Sequence, residues 1–238
     1  EMCIRDRSLR SAVDGARGPV AVPRHVSRLL AVDTATEACS AALLCESKVT
    51  ERYQLDPRGH SRRLIPMIEA LLSEAGVART DLDVIAYDCG PGSFTGIRIG
   101  AGVAQGLALG LTRPLLALSS LLTLAEATEQ DRVLPAIDAR MGEVYWARVK
   151  RNPSEATGWS KLCETTVSEP SQVPALEPGE VGTGSAWDRY HSVLRSGVAG
   201  GGKWLPERYP RAANVARLAA VSNTHLRAHE TRHDLEGR

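Results

Sequence analysis

Apolar residues enter this chain in short blocks punctuated by acids, glycines and prolines. Residues 29–33 form a wholly apolar run ending in an acid, the pattern of a buried strand. Thr34, Ala35 and Thr36 turn the chain, residues 39–45 return it, and residues 48–55 alternate, so a β-meander is predicted with Asp33 at its first turn. Residues 61–75 switch to the helical period through Leu64, Ile65, Ile68, Leu71 and Leu72, with Gly76 as the stop. Pro66 inside that stretch predicts a late start or a kink. Residues 82–88 read as another buried strand that runs through a glycine-rich loop into a second helix over about 97–111. That helix carries Gly100, Gly102, Ala104, Gly106, Ala108 and Gly110. Each interior glycine costs about 0.5–1 kcal/mol against alanine, a cost usually offset by close packing on the backbone.

The second half repeats the order more loosely. Residues 114–118 predict a strand, 119–128 a helix, and 133–138 with 143–150 a hairpin. Residues 151–179 are polar and rich in proline, and 180–183 end a strand at Gly182-Thr-Gly-Ser185. Residues 187–194 and 210–220 predict two more helices, separated by a loop with three glycines. Three strands, a helix, a strand and a helix, followed by a second such round, is an α/β pattern of two ribonuclease-H-like lobes. The expected division is a first lobe over 28–132, completed by the helix 210–220, and a small, degenerate second lobe over 133–209.

Composition narrows the function. The 238 residues are 43% hydrophobic, and 29 Lys and Arg nearly balance 28 Asp and Glu. A net charge of +1 gives no global field for a phosphate backbone, which argues against tight direct nucleic-acid binding. Five cysteines (3, 39, 45, 89 and 163) show no two-residue spacing and read as reduced, mostly buried thiols in a cytosolic protein. No apolar run reaches the length of a membrane span, so no membrane is expected. Residues 1–27 and 221–238 lack periodicity and read as extensions foreign to the fold. In the second, His225, His229 and His233 share a helical face but lack an apolar stripe to dock it, and no metal is expected there.

Three places could carry chemistry. Asp33-Thr34-Ala35-Thr36 resembles a phosphate-binding hairpin in which glycine normally stands where Ala35 is; the methyl argues for a strand-end acid capping a turn, not ATP hydrolysis. Gly90-Pro91-Gly92-Ser93-Phe94-Thr95-Gly96 joins a strand to a helix N-terminus. It is either a nest of N–H groups for an anion, with Arg98 nearby, or a tight turn packed on a neighbouring lobe. It fits neither a Walker A loop nor a dinucleotide fingerprint. Ser93 has no evident base, since His60 and His191 are the only histidines in the foldable core. Asp138-Ala-Arg140 is read as an internal ion pair.

Four ordered stretches then carry a resemblance: residues 30–40, 90–100, 105–109 and 137–146. Over about 29–220 the chain resembles the bacterial TsaB family. The resemblance implies an actin-like (ASKHA) double lobe and a part in making threonylcarbamoyladenosine on tRNAs that read A-starting codons. It implies TsaD and TsaE as partners, with TsaD performing the transfer, tRNA contact only through the complex, and a homodimer when TsaD is absent. TsaD-type enzymes hold a metal through a His-x-x-x-His pair; aligned on residues 114–118, those positions fall on Ser120 and Leu124, which are not metal ligands. The expectation is therefore a non-catalytic subunit with no cofactor and at most weak nucleotide binding. Leu64, Ile68, Gly102 and Gly106 are its expected partner interface. An actin-like sugar-kinase type of phosphotransferase is the alternative. Family members continue into a Pro-x-Tyr-Leu-Arg-type ending that this chain lacks.

Overall fold

The computed structural model describes residues 26–195 and 203–222. The two terminal stretches of the sequence reading, including the three spaced histidines, lie almost wholly outside them. Val26 and Ser27 nevertheless belong to the first lobe: Val26 packs on the core, and Ser27 accepts from the Glu46 N–H.

The first sheet contains β1 (Arg28–Asp33), β2 (Ala38–Cys45), β3 (Lys48–Leu55), β4 (Val84–Asp88) and β5 (Leu115–Leu118), in the order β3-β2-β1-β4-β5. The first three are antiparallel, and β1, β4 and β5 run parallel. The crossovers are α1 (His60–Ala75) and α2 (Phe94–Leu111), and α3 (Ser120–Glu126) follows β5. Helix α1 begins at His60, so Pro66 does not delay it, and Gly76 closes it in the left-handed region at φ 63°.

The second sheet is built from β6 (Arg132–Arg140), β7 (Glu143–Trp146), β8 (Val149–Arg151), β9 (Trp159–Lys161), β10 (Thr166–Ser168), β11 (Val181–Thr183) and β12 (Trp204–Leu205). Its main path is β10-β7-β6-β11-β12, with β8 on β6 and β9 on β8. Ignoring β8 and β9, each sheet reads third-second-first-fourth-fifth in its own chain order. The crossover equivalent to α1 has shrunk to a single 3₁₀ turn, Pro170–Gln172. Helix α4 (Ser185–Leu194) matches α2, and α5 (212–222) matches α3. The stretch 143–150 is two strands, because β7 stays with the main path while β8 pairs with the start of β6.

Three clusters of buried side chains fix the layers. Helices α1 and α2 cover the outer face of the first sheet through Leu64, Ile68, Leu71, Ala104 and Ala108. Helix α4 covers the second sheet through Trp187. Between the sheets, α3 and α5 share one core with Leu29, Ala31, Val133, Ile137 and Trp159. The first lobe itself caps α5: Ser40 Oγ accepts from Ala212 N–H (2.9 Å), and Glu51 accepts from Ala213 N–H (3.0 Å) and Arg211 (2.9 Å). Of the described cysteines only Cys39 is buried; Cys45 and Cys163 are half-buried and Cys89 is exposed, unlike the mostly buried set expected.

Candidate functional site

Because β1 and β4 are parallel neighbours, they end together and bring Asp33 and Asp88 side by side at the C-terminal edge of the sheet. Both are almost fully buried, at 1% and 2% exposure. Asp33 Oδ1 accepts from Ala35 N–H (2.9 Å), and Asp88 Oδ1 accepts from Gly90 N–H (2.8 Å) and from the Ser120 hydroxyl. The Oδ2 atoms of the two carboxyls face this buried site with no hydrogen-bond partner among the described residues. Burial, then the facing Asp88 charge, raises the Asp33 carboxyl well above the carboxylate range. Burial pushes Asp88 up to about 6 against its bonds from Ser120 and Gly90.

The glycine loop closes directly over this pair. Ser93 N–H donates to the Ala35 carbonyl (2.7 Å), and Thr34 Oγ1 donates to the Gly96 carbonyl (2.7 Å). A Cβ on Gly92 would run into the Ala35 carbonyl, and one on Gly96 into the Thr34 carbonyl. The loop thus packs on the β1–β2 turn of its own lobe, not on the neighbouring lobe. Gly90 and Pro91 are joined by a cis peptide, with Gly90 at φ 99°. Ser93 is the N-cap of α2, its hydroxyl accepting from Gly96 N–H (3.3 Å), and Thr95 is exposed in the first turn. Arg98 lies over the exposed Phe94 ring at 3.4 Å instead of turning into the loop. Neither core histidine faces Ser93: His60 bonds to the Ala38 carbonyl (3.1 Å), and His191 stacks on Trp204.

The opposite lobe presents the matching pieces. Asp138 near the end of β6 receives Arg189 (3.0 Å), Arg140 (3.6 Å) and the Tyr190 hydroxyl (3.3 Å). Arg140 also reaches Glu37 on the first lobe (2.6 Å), an ion pair that links the two sheets' ends. The expected Asp138–Arg140 pair is therefore part of a longer chain of charges. Where a metal would need two imidazoles, Ser120 and Leu124 are both fully buried. Ser120 is spent on Asp88, and Leu124 is in the core between the sheets. These side chains do not fit a metal ion.

Helix α2 has two distinct small-residue faces. Gly96, Gly100, Ala104 and Ala108 are buried towards the sheet, with Gly100 against the Thr34 hydroxyl. Gly102, Gly106 and Gly110 face outwards, and a Cβ on any of them would meet nothing within 4 Å. Around them Phe94 and Leu109 are exposed by 65% and 78%, and Ile65 on α1 by 50%. This corrects one expectation: Leu64 and Ile68 point into the core, at 0% and 3% exposure, and cannot form a partner interface. The helical period identified the apolar face of α1, and that face is the one the sheet consumes. Helix α2 also has the length and apolarity of a membrane span, at 18 residues and a mean hydropathy of 1.2, although one face rests on the sheet.

Two sheets of the same strand order, packed around two inner helices and each with an acid at or near the end of its first strand, define an actin-like (ASKHA) protein. Comparison with known proteins agrees. The family described as "TsaD: tRNA N6-adenosine threonylcarbamoyltransferase" matches residues 54–177. The Haemophilus influenzae tRNA threonylcarbamoyladenosine biosynthesis protein TsaB is 39% identical over 191 residues, 75% of this chain and 80% of that protein. The Escherichia coli TsaB is 51% identical over 129 residues, a match spanning 52% of this chain and 56% of that protein's length. The solved structure of YeaZ from Pseudomonas aeruginosa superposes with a TM-score of 0.75 at 37% identity, covering 84% of this chain and 94% of that one. The chain belongs to the TsaB family of tRNA threonylcarbamoyladenosine biosynthesis proteins.

Proposed function

We propose that this protein is a non-catalytic subunit of the cytoplasmic machinery that transfers a threonylcarbamoyl group to the adenosine beside the anticodon. It acts by pairing with a TsaD-type transferase, and TsaE binds the pair. The observation that carries this reading is the fate of the two metal-ligand positions: Ser120 and Leu124 are sealed in the core, one bonded to Asp88. The glycine loop occupies the backbone of the Asp33–Thr36 hairpin that a nucleotide phosphate would need, which weighs against the phosphotransferase alternative. No cofactor is required, and tRNA is met through the complex.

The outward stripe of Gly102 and Gly106, flanked by Leu109 and Ile65, supports α2 as the surface on which TsaD docks. Glycines there let a partner helix approach the backbone closely. Without TsaD, the same face serves a homodimer. The test is co-purification with the cognate TsaD, followed by an assay for the modified nucleoside with and without this subunit. Turnover of ATP or stoichiometric metal in the isolated protein contradicts the reading.

A further inference from the structure

Beyond the α2 face lies a second surface with unmet bonding capacity. Helix α1 rests over β2 and β3, and α2 over β1 and β4. The flank of α1 away from α2 therefore meets β3, which among the described residues is an unpaired edge of the first sheet. A groove of about 550 Å³ runs there between β3 and α1. Its strand wall is Glu51, Arg52, Tyr53 and Gln54, and its helix wall includes Arg62, Pro66 and Met67.

Four features of this groove leave bonding capacity for an occupant. On an edge strand, alternate residues turn their N–H and C=O groups away from the sheet, ready to pair with another strand. Pro66 has no N–H, so the Arg62 carbonyl one turn earlier lacks its helical donor. Arg52 bonds to Glu74 through a terminal nitrogen, yet its Nε is buried without an acceptor. Arg62 is exposed and has no ion pair among the described residues. Glu51, the acid in the wall, is already committed to Arg211 and Ala213.

From this we infer that the groove between β3 and α1 is a docking site for an extended, acidic segment of a partner protein, added as a sixth strand against β3. Backbone pairing along the edge supplies affinity, while Arg62 and Arg52 select carboxylates. The chain's own residues 1–25 are an unsuitable occupant, because their five arginines outnumber their three acids and match the groove in sign. A nucleic-acid backbone is disfavoured because the walls offer an open strand edge instead of a broad basic surface. The site is separate from the α2 face, so it stands whether or not TsaD docks there.

The experiment uses the full chain, a fluorescein-labelled Glu-Val-Glu-Val-Glu-Val peptide, the same peptide N-methylated at every residue, and a short oligothymidylate. We expect the first peptide to bind and to shift the backbone amide resonances of residues 49–55. Arg62→Glu should weaken it about tenfold, the scale of one charge-assisted hydrogen bond, without moving the melting temperature. The N-methylated peptide should fail, since it cannot pair with an edge. Binding that ignores N-methylation or Arg62→Glu overturns the proposal. So does binding of the oligothymidylate in place of the peptide, or β3 shifts that arise only from self-association of the chain.

Discussion

Thr34 and Gly96 clasp each other across the base of the first lobe. The threonine hydroxyl donates to the glycine carbonyl at 2.7 Å, while the threonine carbonyl fills the space a side chain at residue 96 would need. Ala35 and Gly92 repeat the relationship one step along, where the Ala35 carbonyl occupies the place of a Cβ and also receives Ser93 N–H. The glycines of the loop are there because backbone meets backbone.

Gly92→Ala and Gly96→Ala should therefore destabilise the fold itself. Neither carbonyl can swing away as a flexible side chain would. Overpacking of this kind costs about 1–3 kcal/mol, a fall of roughly 2–12 °C in a chain of this size. Thermal melting followed by circular dichroism reads it, and an unchanged midpoint for both variants contradicts the packing account.

Gly102→Leu and Gly106→Leu should behave in the opposite way. Both positions look into open space, and leucine is a better helix former than glycine by up to about 1 kcal/mol. The isolated subunit should melt at the same temperature or slightly higher. Affinity for TsaD should drop about 5- to 150-fold, the equivalent of about 1–3 kcal/mol of overpacking at the contact. Titration calorimetry with TsaD decides it; normal affinity in both variants rules out α2 as the docking helix.

The Asp33–Asp88 pair predicts a pH dependence of definite sign. Both carboxyls have raised affinity for protons in the folded state, so between about pH 4 and the folded values the native protein binds more protons than the unfolded chain. Stability from this source is full below about pH 4 and is lost as pH rises through about 6, where Asp88 ionises. The amount is on the order of 3 kcal/mol for Asp88. Asn at position 33 removes the second buried acid and offers Asp88 a neutral neighbour. Asp33→Asn should thus flatten the decline with rising pH and match or exceed the wild type at pH 8. Melting temperatures measured from pH 4 to 9 test this.

Glu51 offers a fourth test, since it caps α5 from the first lobe and is paired to Arg211. Glu51→Ala should cost about 1–2 kcal/mol, the usual worth of a helix cap. The loss should appear in chemical denaturation as a lower midpoint.

Much of this fold was legible in the order of apolar blocks. The meander, both crossover helices, and β6, β11, α4 and α5 of the second round follow from strand and helix periods, whereas β9, β10 and β12 are too short to show a period. Local chemistry set the boundaries instead: α2 begins at Phe94 because the Ser93 hydroxyl caps it, three residues before the apolar period starts. The Asp33–Asp88 partnership was not legible, because a parallel pairing joins residues far apart in sequence. Nor could periodicity say which face of a helix stays free. On α1 the apolar stripe with Leu64 and Ile68 is the buried one. On α2 both faces are small, and only the sheet beneath Gly100 tells inside from outside.

The placement of α5 between the sheets bears on how the chain is made. It contributes Ala212, Val215, Ala216, Leu218 and Ala219 to the core that both lobes share, yet it follows every other described element in the chain. Until α5 leaves the ribosome, the inner faces of both sheets have α3 as their only described helical cover. The outer layer of α1 and α2 can assemble early from residues already in hand, but the join between the lobes has to wait. The join between the lobes therefore depends on a late segment of the chain, and until it arrives part of the shared apolar core is left to whatever shields nascent chains in the cell.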